Sequence, residues 1–172
     1  MTRRFLPRDM DVVELGGSLG ANTCLIARRS RSLVSVEADP HLAANLRETV
    51  AANGLGNVTV IAKALAPGRE AVSFRSGHDN LGGHIGVGGE VAATSLTAIL
   101  NDHGIGEFAL VSDCEGAEAR IAIEEPEALV RCRIALVEMG GKEHSPDEVE
   151  ALYLGLGFRR VYRHGACAAF VR

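Results

Sequence analysis

The feature that most constrains this 172-residue chain is the stretch Val12-Val13-Glu14-Leu15-Gly16-Gly17-Ser18-Leu19-Gly20-Ala21-Asn22, followed by a second apolar run that ends in the acid Glu37. A strand carrying an acid, a glycine turn, a helix and a second strand ending in an acid is the opening of a doubly wound α/β domain that holds a ribose-containing cofactor. Gly16 and Gly17 are expected to take positive φ and turn the chain sharply off the first strand. Gly20, with no Cβ, is expected to let the opening helix pack close to the sheet. Glu37 is placed to accept both ribose hydroxyls.

The spacing of the glycines separates the possible cofactors. A dinucleotide fingerprint, Gly-x-Gly-x-x-Gly, would need glycine at positions held here by Ser18 and Ala21. The variant Gly-x-x-x-Gly-x-Gly fails at Asn22, and no Tyr-x-x-x-Lys follows, since Gly157 and Ala166 stand four residues after Tyr153 and Tyr162. What remains, Glu-x-Gly-x-x-x-Gly, resembles the form found in class I S-adenosylmethionine (SAM) methyltransferases. That cofactor has no pyrophosphate to seat on a helix N-terminus. It needs loop amides for its carboxylate and an acid for its ammonium, and Glu14 is the candidate acid.

The rest of the chain alternates strand and helix, which predicts a mostly parallel sheet. Strands are expected at 12–16, 32–37, 58–64, 71–75, 108–113 and 133–138, with helices at 22–31, 40–53, 95–103, 116–129 and 146–157. Asp39 before Pro40, and Ser145 before Pro146 with Glu148 following, carry the signature of helix starts. Phe158–Arg163 and Ala166–Val171, joined at His164-Gly165, predict a closing antiparallel hairpin. The stretch from His78 to Gly89 has neither period and reads as a mobile functional loop or simply a disordered one. Residues 1–172 are thus expected to form a single Rossmann-like domain.

Composition narrows the partners. The net charge of −4 provides no basic field, so a small-molecule acceptor is favoured over nucleic acid. Cys24, Cys114, Cys132 and Cys167 include no Cys-x-x-Cys pair and read as buried, reduced thiols. With no apolar run of spanning length and no signal-peptide pattern after Met1, the expected location is cytoplasmic, away from any membrane. A homodimer is the assembly left open.

With these residues in view, the chain resembles the FkbM-type methyltransferase family over roughly 12–138. Val-Glu-Leu-Gly-Gly-Ser-Leu-Gly at 13–20 is similar to that family's Val-Asp-Ile-Gly-Ala-Asn-Ile-Gly. Ser-Val-Glu-Ala-Asp-Pro at 35–40, with Ala64-Leu65 downstream, is similar to its Phe-Glu-Pro-Asp-Pro block. Ser-Asp-Cys-Glu-Gly-Ala-Glu at 112–118 is similar to its Ile-Asp-Val-Glu-Gly-Ala-Glu. The resemblance implies a class I methyltransferase fold, SAM as cofactor with S-adenosylhomocysteine (SAH) as product, and O-methylation of a sugar, polyketide or related metabolite. It implies cofactor contacts from Glu14, Gly16, Gly17, Ser18, Gly20, Asn22, Glu37, Ala38, Ala64 and Asp113. Because about ten residues precede the first strand, a non-catalytic cofactor-binding or assembly module is the alternative.

Removing a proton from an acceptor hydroxyl needs a base. The candidates are Asp113, at the end of the fourth long strand, and the loop residues His78 and His84. Glu115 is expected to position substrate or to cap the next helix, and Glu138 and His144 to line the substrate side. His41, His103 and His164 read as structural. Asp113, Glu115 and Asp79 could supply oxygen ligands to a magnesium ion, but nothing in their spacing fixes a geometry, and no metal is expected.

Overall fold

The computed structural model describes residues 1–75, 84–85, 89–114, 116–141 and 143–172. In chain order the elements are α1 (Thr2–Phe5), β1 (Asp11–Leu15), α2 (Ala21–Ala27), β2 (Ser32–Glu37), α3 (Pro40–Ala52), β3 (Val58–Ala62), β4 (Ala64–Leu65), β5 (Ala71–Arg75), β6 (His84–Ile85), β7 (Gly89–Thr94), α4 (Leu96–Asp102), β8 (Phe108–Ser112), α5 (Ala117–Glu124), α6 (Pro126–Leu129), β9 (Cys132–Glu138), α7 (Pro146–Gly155), β10 (Arg159–His164) and β11 (Cys167–Val171).

Seven strands form the main sheet in the order β10-β11-β9-β8-β1-β2-β3. Those from β9 to β3 run parallel, and β11 and β10 close the sheet antiparallel, as the hairpin pattern predicts. The chain winds outward from β1 to β2 and β3, then returns to β1's other side through β8. That reversal puts a switch point between β1 and β8, where the carboxyl ends of strands diverge and open α/β sheets bind ligands. Leu15 is level with both Val36 and Ser112, so three strands end together at that edge.

Buried on both faces, the central strands read as continuous apolar runs rather than alternating ones. Val12, Val13, Phe108, Ala109 and Leu110 are fully buried. On one face Tyr153 of α7 stacks on Phe170 at 5.0 Å and meets Phe158 at 5.6 Å. On the other, Leu6 and Ile26 pack against Val12 and Leu33.

The structure departs from the sequence reading in ways that each have a local cause. Helix α2 stops at Ala27 rather than Arg31, because the Asn57 amide takes the carbonyls of Ala27 and Ser30 at 2.8 and 3.1 Å. The expected helix over 116–129 breaks into α5 and α6 at Glu125, where the following Pro126 disfavours helical geometry. The third strand divides around Lys63. Its first part stays in the main sheet, while β4 joins a separate four-stranded sheet, β4-β7-β5-β6, over a small cluster of Ala64, Ala66, Val72, Phe74 and Val91. Strands β6 and β7 and helix α1 were not expected. Of the two caps that Thr94-Ser95 offers for α4, Ser95 serves, accepting from the Ala98 amide at 3.0 Å. All four cysteines are free, but only Cys132 is buried; the other three are half-buried.

The Tyr153 hydroxyl has no hydrogen-bond partner among the described residues although the side chain is fully buried. An unmade hydrogen bond on a buried hydroxyl costs about 1–3 kcal/mol. Tyr153→Phe keeps the ring stacking and removes that cost. It is expected to raise unfolding free energy by about 1 kcal/mol in urea titration, whereas a loss of stability would show that the hydroxyl is satisfied.

Candidate functional site

The site begins with how the chain leaves β1. Gly16 takes φ +85°, and a Cβ there would lie 2.1 Å from the Asp113 carbonyl oxygen, so only glycine lets the loop press against the end of β8. The Asp113 amide in turn donates to the Leu15 carbonyl at 3.0 Å. Gly17 is required for space and not for positive φ. Its Cβ would fall 2.4 Å from the Ser35 hydroxyl and 2.5 Å from Leu46. The left-handed residue in its place is Ser18, at φ 47°. Gly20 approaches Leu46 and Thr49 of α3, not the sheet.

Two acids hold this loop from beneath and beside. Glu14 is 2% exposed, and its Oε2 accepts the hydroxyls of Thr23 and Ser35, each at 2.6 Å. Burial pushes its pKa up from 4.5 to about 7; the two hydroxyls oppose the rise, and the negative charges of Glu37 and Asp113 add to it. Glu37 is 7% exposed at the end of β2, where Oε2 accepts the Ser18 amide at 2.8 Å and Oε1 the Asp39 amide at 2.9 Å. Each carboxylate oxygen is thereby fixed by one backbone donor and keeps a further lone pair. Asp39 also caps α3, accepting the His41 amide at 2.8 Å.

The other candidates spread along the same edge. Asn22 is exposed at the start of α2, Ala38 is half-buried after β2, and Ala64 is buried in the small sheet. Asp113 is exposed at the end of β8, and Glu138 is exposed at the end of β9. His144 lies after β9 and lines a cavity of about 260 Å³ with Arg69 and Arg120. His78, Asp79 and Glu115 lie outside the described residues, as does the side chain of His84. Among the described residues no group of three or more His, Cys, Asp or Glu side chains is placed to hold a metal ion.

Glu118 has a larger part than the sequence reading gave it. Fully buried, it accepts the Ser112 hydroxyl at 2.7 Å and the Cys114 amide at 3.0 Å on Oε1, and the Gly116 amide at 3.0 Å on Oε2. It therefore shapes the turn that carries Asp113 out of the sheet. The signal was present in Glu-Gly-Ala-Glu, where an acid in the first turn of a helix meets the unpaired amides of its start.

No family model matches the chain, and no curated protein matches it. Solved structures do. A ribosomal protein L11 methylase of Lactobacillus delbrueckii subsp. bulgaricus aligns at TM-score 0.60 and 12% identity, over 98% of this chain and 71% of its own. The fold is that of the class I methyltransferases. An rRNA methylase from Streptococcus thermophilus aligns at TM-score 0.56 and 12% identity over 96% of this chain and 86% of its own. A Streptococcus mutans protein solved in complex with SAH aligns at TM-score 0.55 and 10% identity, over 96% and 88%. Among the described residues, no helix is long and apolar enough to cross a membrane.

The raised pKa of Glu14 has a measurable consequence. The folded state keeps its proton up to about pH 7, whereas the unfolded chain releases it near 4.5. Stability is therefore lost as pH climbs through that window, by about 3 kcal/mol at full deprotonation. Glu14→Gln retains an acceptor for both hydroxyls but cannot ionise. Relative to it, the wild type is expected to lose about 3 kcal/mol between pH 5 and 8 in chemical denaturation. Parallel pH profiles for the two proteins would contradict the buried, proton-holding carboxyl.

Proposed function

We propose that the protein is a SAM-dependent methyltransferase acting on a hydroxyl of a small molecule, as its resemblance to the FkbM-type family implies. The observation that carries this reading is the Glu37 carboxylate at the end of β2, held by the Ser18 and Asp39 amides beside the glycine turn. A carboxylate fixed this way presents its remaining lone pairs as a pair, which suits the vicinal hydroxyls of a ribose. The SAH-bound neighbour supports the same cofactor, as do the sequence blocks at 13–20, 35–40 and 112–118.

In this reading, SAM brings a methyl group on a sulfonium that is already a strong electrophile, and the protein supplies placement. Glu37 holds the ribose. Glu14 stands under the loop toward the ammonium, and the loop around Gly16, Gly17, Ser18 and Gly20 receives the carboxylate, with Asn22, Ala38 and Ala64 along the walls. Asp113 is the base candidate among the described residues. It is exposed where β8 ends, and its backbone donates to the Leu15 carbonyl and lies against Gly16. His78 and His84 are the further base candidates, Glu115 and Glu138 contribute to substrate positioning, and no metal is required. The four unpaired cysteines suit a cytoplasmic setting.

The rRNA methylase among the neighbours makes nucleic acid the competing acceptor. Charge and aromatic placement both favour a small molecule. The net charge is −4, which repels phosphate backbones. Enzymes that act on a base extrude it and stack it between aromatic or apolar side chains. Here Phe74, Phe108, Tyr153, Phe158 and Phe170 are buried, and Phe5 and Tyr162 pack on each other. With no tryptophan in the chain, none of its aromatic rings is free to stack on a base at this edge.

SAH is expected to raise the melting temperature, NAD to leave it unchanged, and Glu37→Ala to weaken SAH binding roughly tenfold or more in calorimetry. Equal stabilisation by NAD, or full SAH affinity in Glu37→Ala, would overturn the cofactor assignment.

A further inference from the structure

A second built feature lies on the same sheet edge, and its lining chemistry narrows the acceptor. The cavity of about 260 Å³ is walled by the turn after β4, the face of α5 and the segment after β9. Its volume is below the 300–1,000 Å³ typical of drug-sized ligands, so its occupant is metabolite-sized. Gly116, three residues beyond Asp113 in the chain, lines it, and Asp113's carbonyl lies against Gly16 of the glycine turn.

The charges that line this space are not taken up in ion pairs with one another. Four arginines elsewhere are: Arg31 with Asp11, Arg133 with Glu107, Arg160 with Glu150, and Arg163 with Asp147 and Glu150. Arg69 and Arg120, both lining the cavity, form no ion pair with any described residue, nor do Glu124 and Glu143 beside them. Arg120 and Glu124 are one turn apart on α5, a spacing that allows a pair, yet they do not close on each other. Two arginines and two glutamates cancel in net charge, so the cavity offers neither a pure anion site nor a pure cation site. Ile123, 51% exposed, also lines the space.

We infer that this cavity binds the acceptor as a small zwitterion, its anionic group held by Arg69 and Arg120 and its ammonium by Glu124 and Glu143. Its short carbon chain lies along Ile123. His144, on the same wall, is positioned beside the ligand's hydroxyl end. An anionic ligand alone would leave the two glutamates uncompensated and would be repelled by them; a cationic ligand alone would meet the arginines. This inference rests on the methyltransferase reading for the word acceptor, but the binding itself does not need catalysis.

The test is an amide-resolved NMR titration of the isotope-labelled protein, run with and without SAH, using three probes of matched length. L-homoserine carries hydroxyl, ammonium and carboxylate; γ-hydroxybutyrate lacks the ammonium, and aminopropanol lacks the carboxylate. Homoserine is expected to shift the Gly116, Arg120, Glu143 and His144 amides, and each truncated probe to bind at least roughly tenfold more weakly. Arg120→Gln should weaken homoserine about tenfold and erase its advantage over aminopropanol, while Glu124→Gln should erase its advantage over γ-hydroxybutyrate. Both substitutions are on the surface and leave the core intact. Equal binding of homoserine and γ-hydroxybutyrate, or no shift of these amides by any probe into tens of millimolar, would overturn the zwitterion site. Failure of SAH to bind in the same samples would instead count against the methyltransferase reading, leaving the cavity result to be judged alone.

Discussion

The arrangement of this edge depends on the Glu37 carboxylate and the two backbone amides it ties together. Ser18 belongs to the loop after β1 and Asp39 to the cap of α3, so one side chain joins the glycine turn, the end of β2 and the start of the next helix. Hydrogen bonds from amides to a charged acceptor are among the stronger ones a protein makes, worth roughly 1.5–3 kcal/mol each. They also explain why a serine tolerates φ 47°: that backbone geometry goes with an amide pointed at the acid.

The same device recurs elsewhere in the fold. Glu14 gathers two hydroxyls beneath the loop, Glu118 gathers amides at the turn after β8, and Glu125 receives the Leu96 and Thr97 amides at the start of α4, at 2.9 and 2.8 Å. Buried carboxylates with two or more donors avoid the penalty that an unpaired one would incur. Glu14 has hydroxyl donors alone, with two other acids nearby, and burial holds its proton to about pH 7. Loops that would otherwise wander are thus held by side chains on rigid elements, which leaves the exposed Asp113 and the cavity walls in defined positions.

Where a residue's role is set within its own few neighbours, the sequence was readable. Apolar runs bounded by turn residues placed β2 and β5 at their observed limits, and Asp39-Pro40 and Ser145-Pro146 marked true caps. The glycine turn, with Glu14 and Glu37 at the ends of adjacent strands, was legible for the same reason. What escaped was set by distant partners. Glu125 interrupts a helix partly because it serves α4, some thirty residues earlier in the chain. Gly17 is glycine because Leu46 comes close, and α2 ends where Asn57 reaches across. Strand β7 begins inside a glycine-rich stretch whose composition hides its pairing with β5.

The central claim is that Glu37 and its two amides form the ribose seat of a SAM-type cofactor. It is tested most directly by amide hydrogen exchange resolved at Ser18 and Asp39, measured with and without SAH. On this account SAH slows exchange at both positions and at Asp113, leaves Glu143 and His144 unchanged, and loses these effects when Glu37 is replaced by glutamine. Protection confined to the Arg69–Arg120 cavity, with Ser18 and Asp39 exchanging as in the free protein, would contradict it.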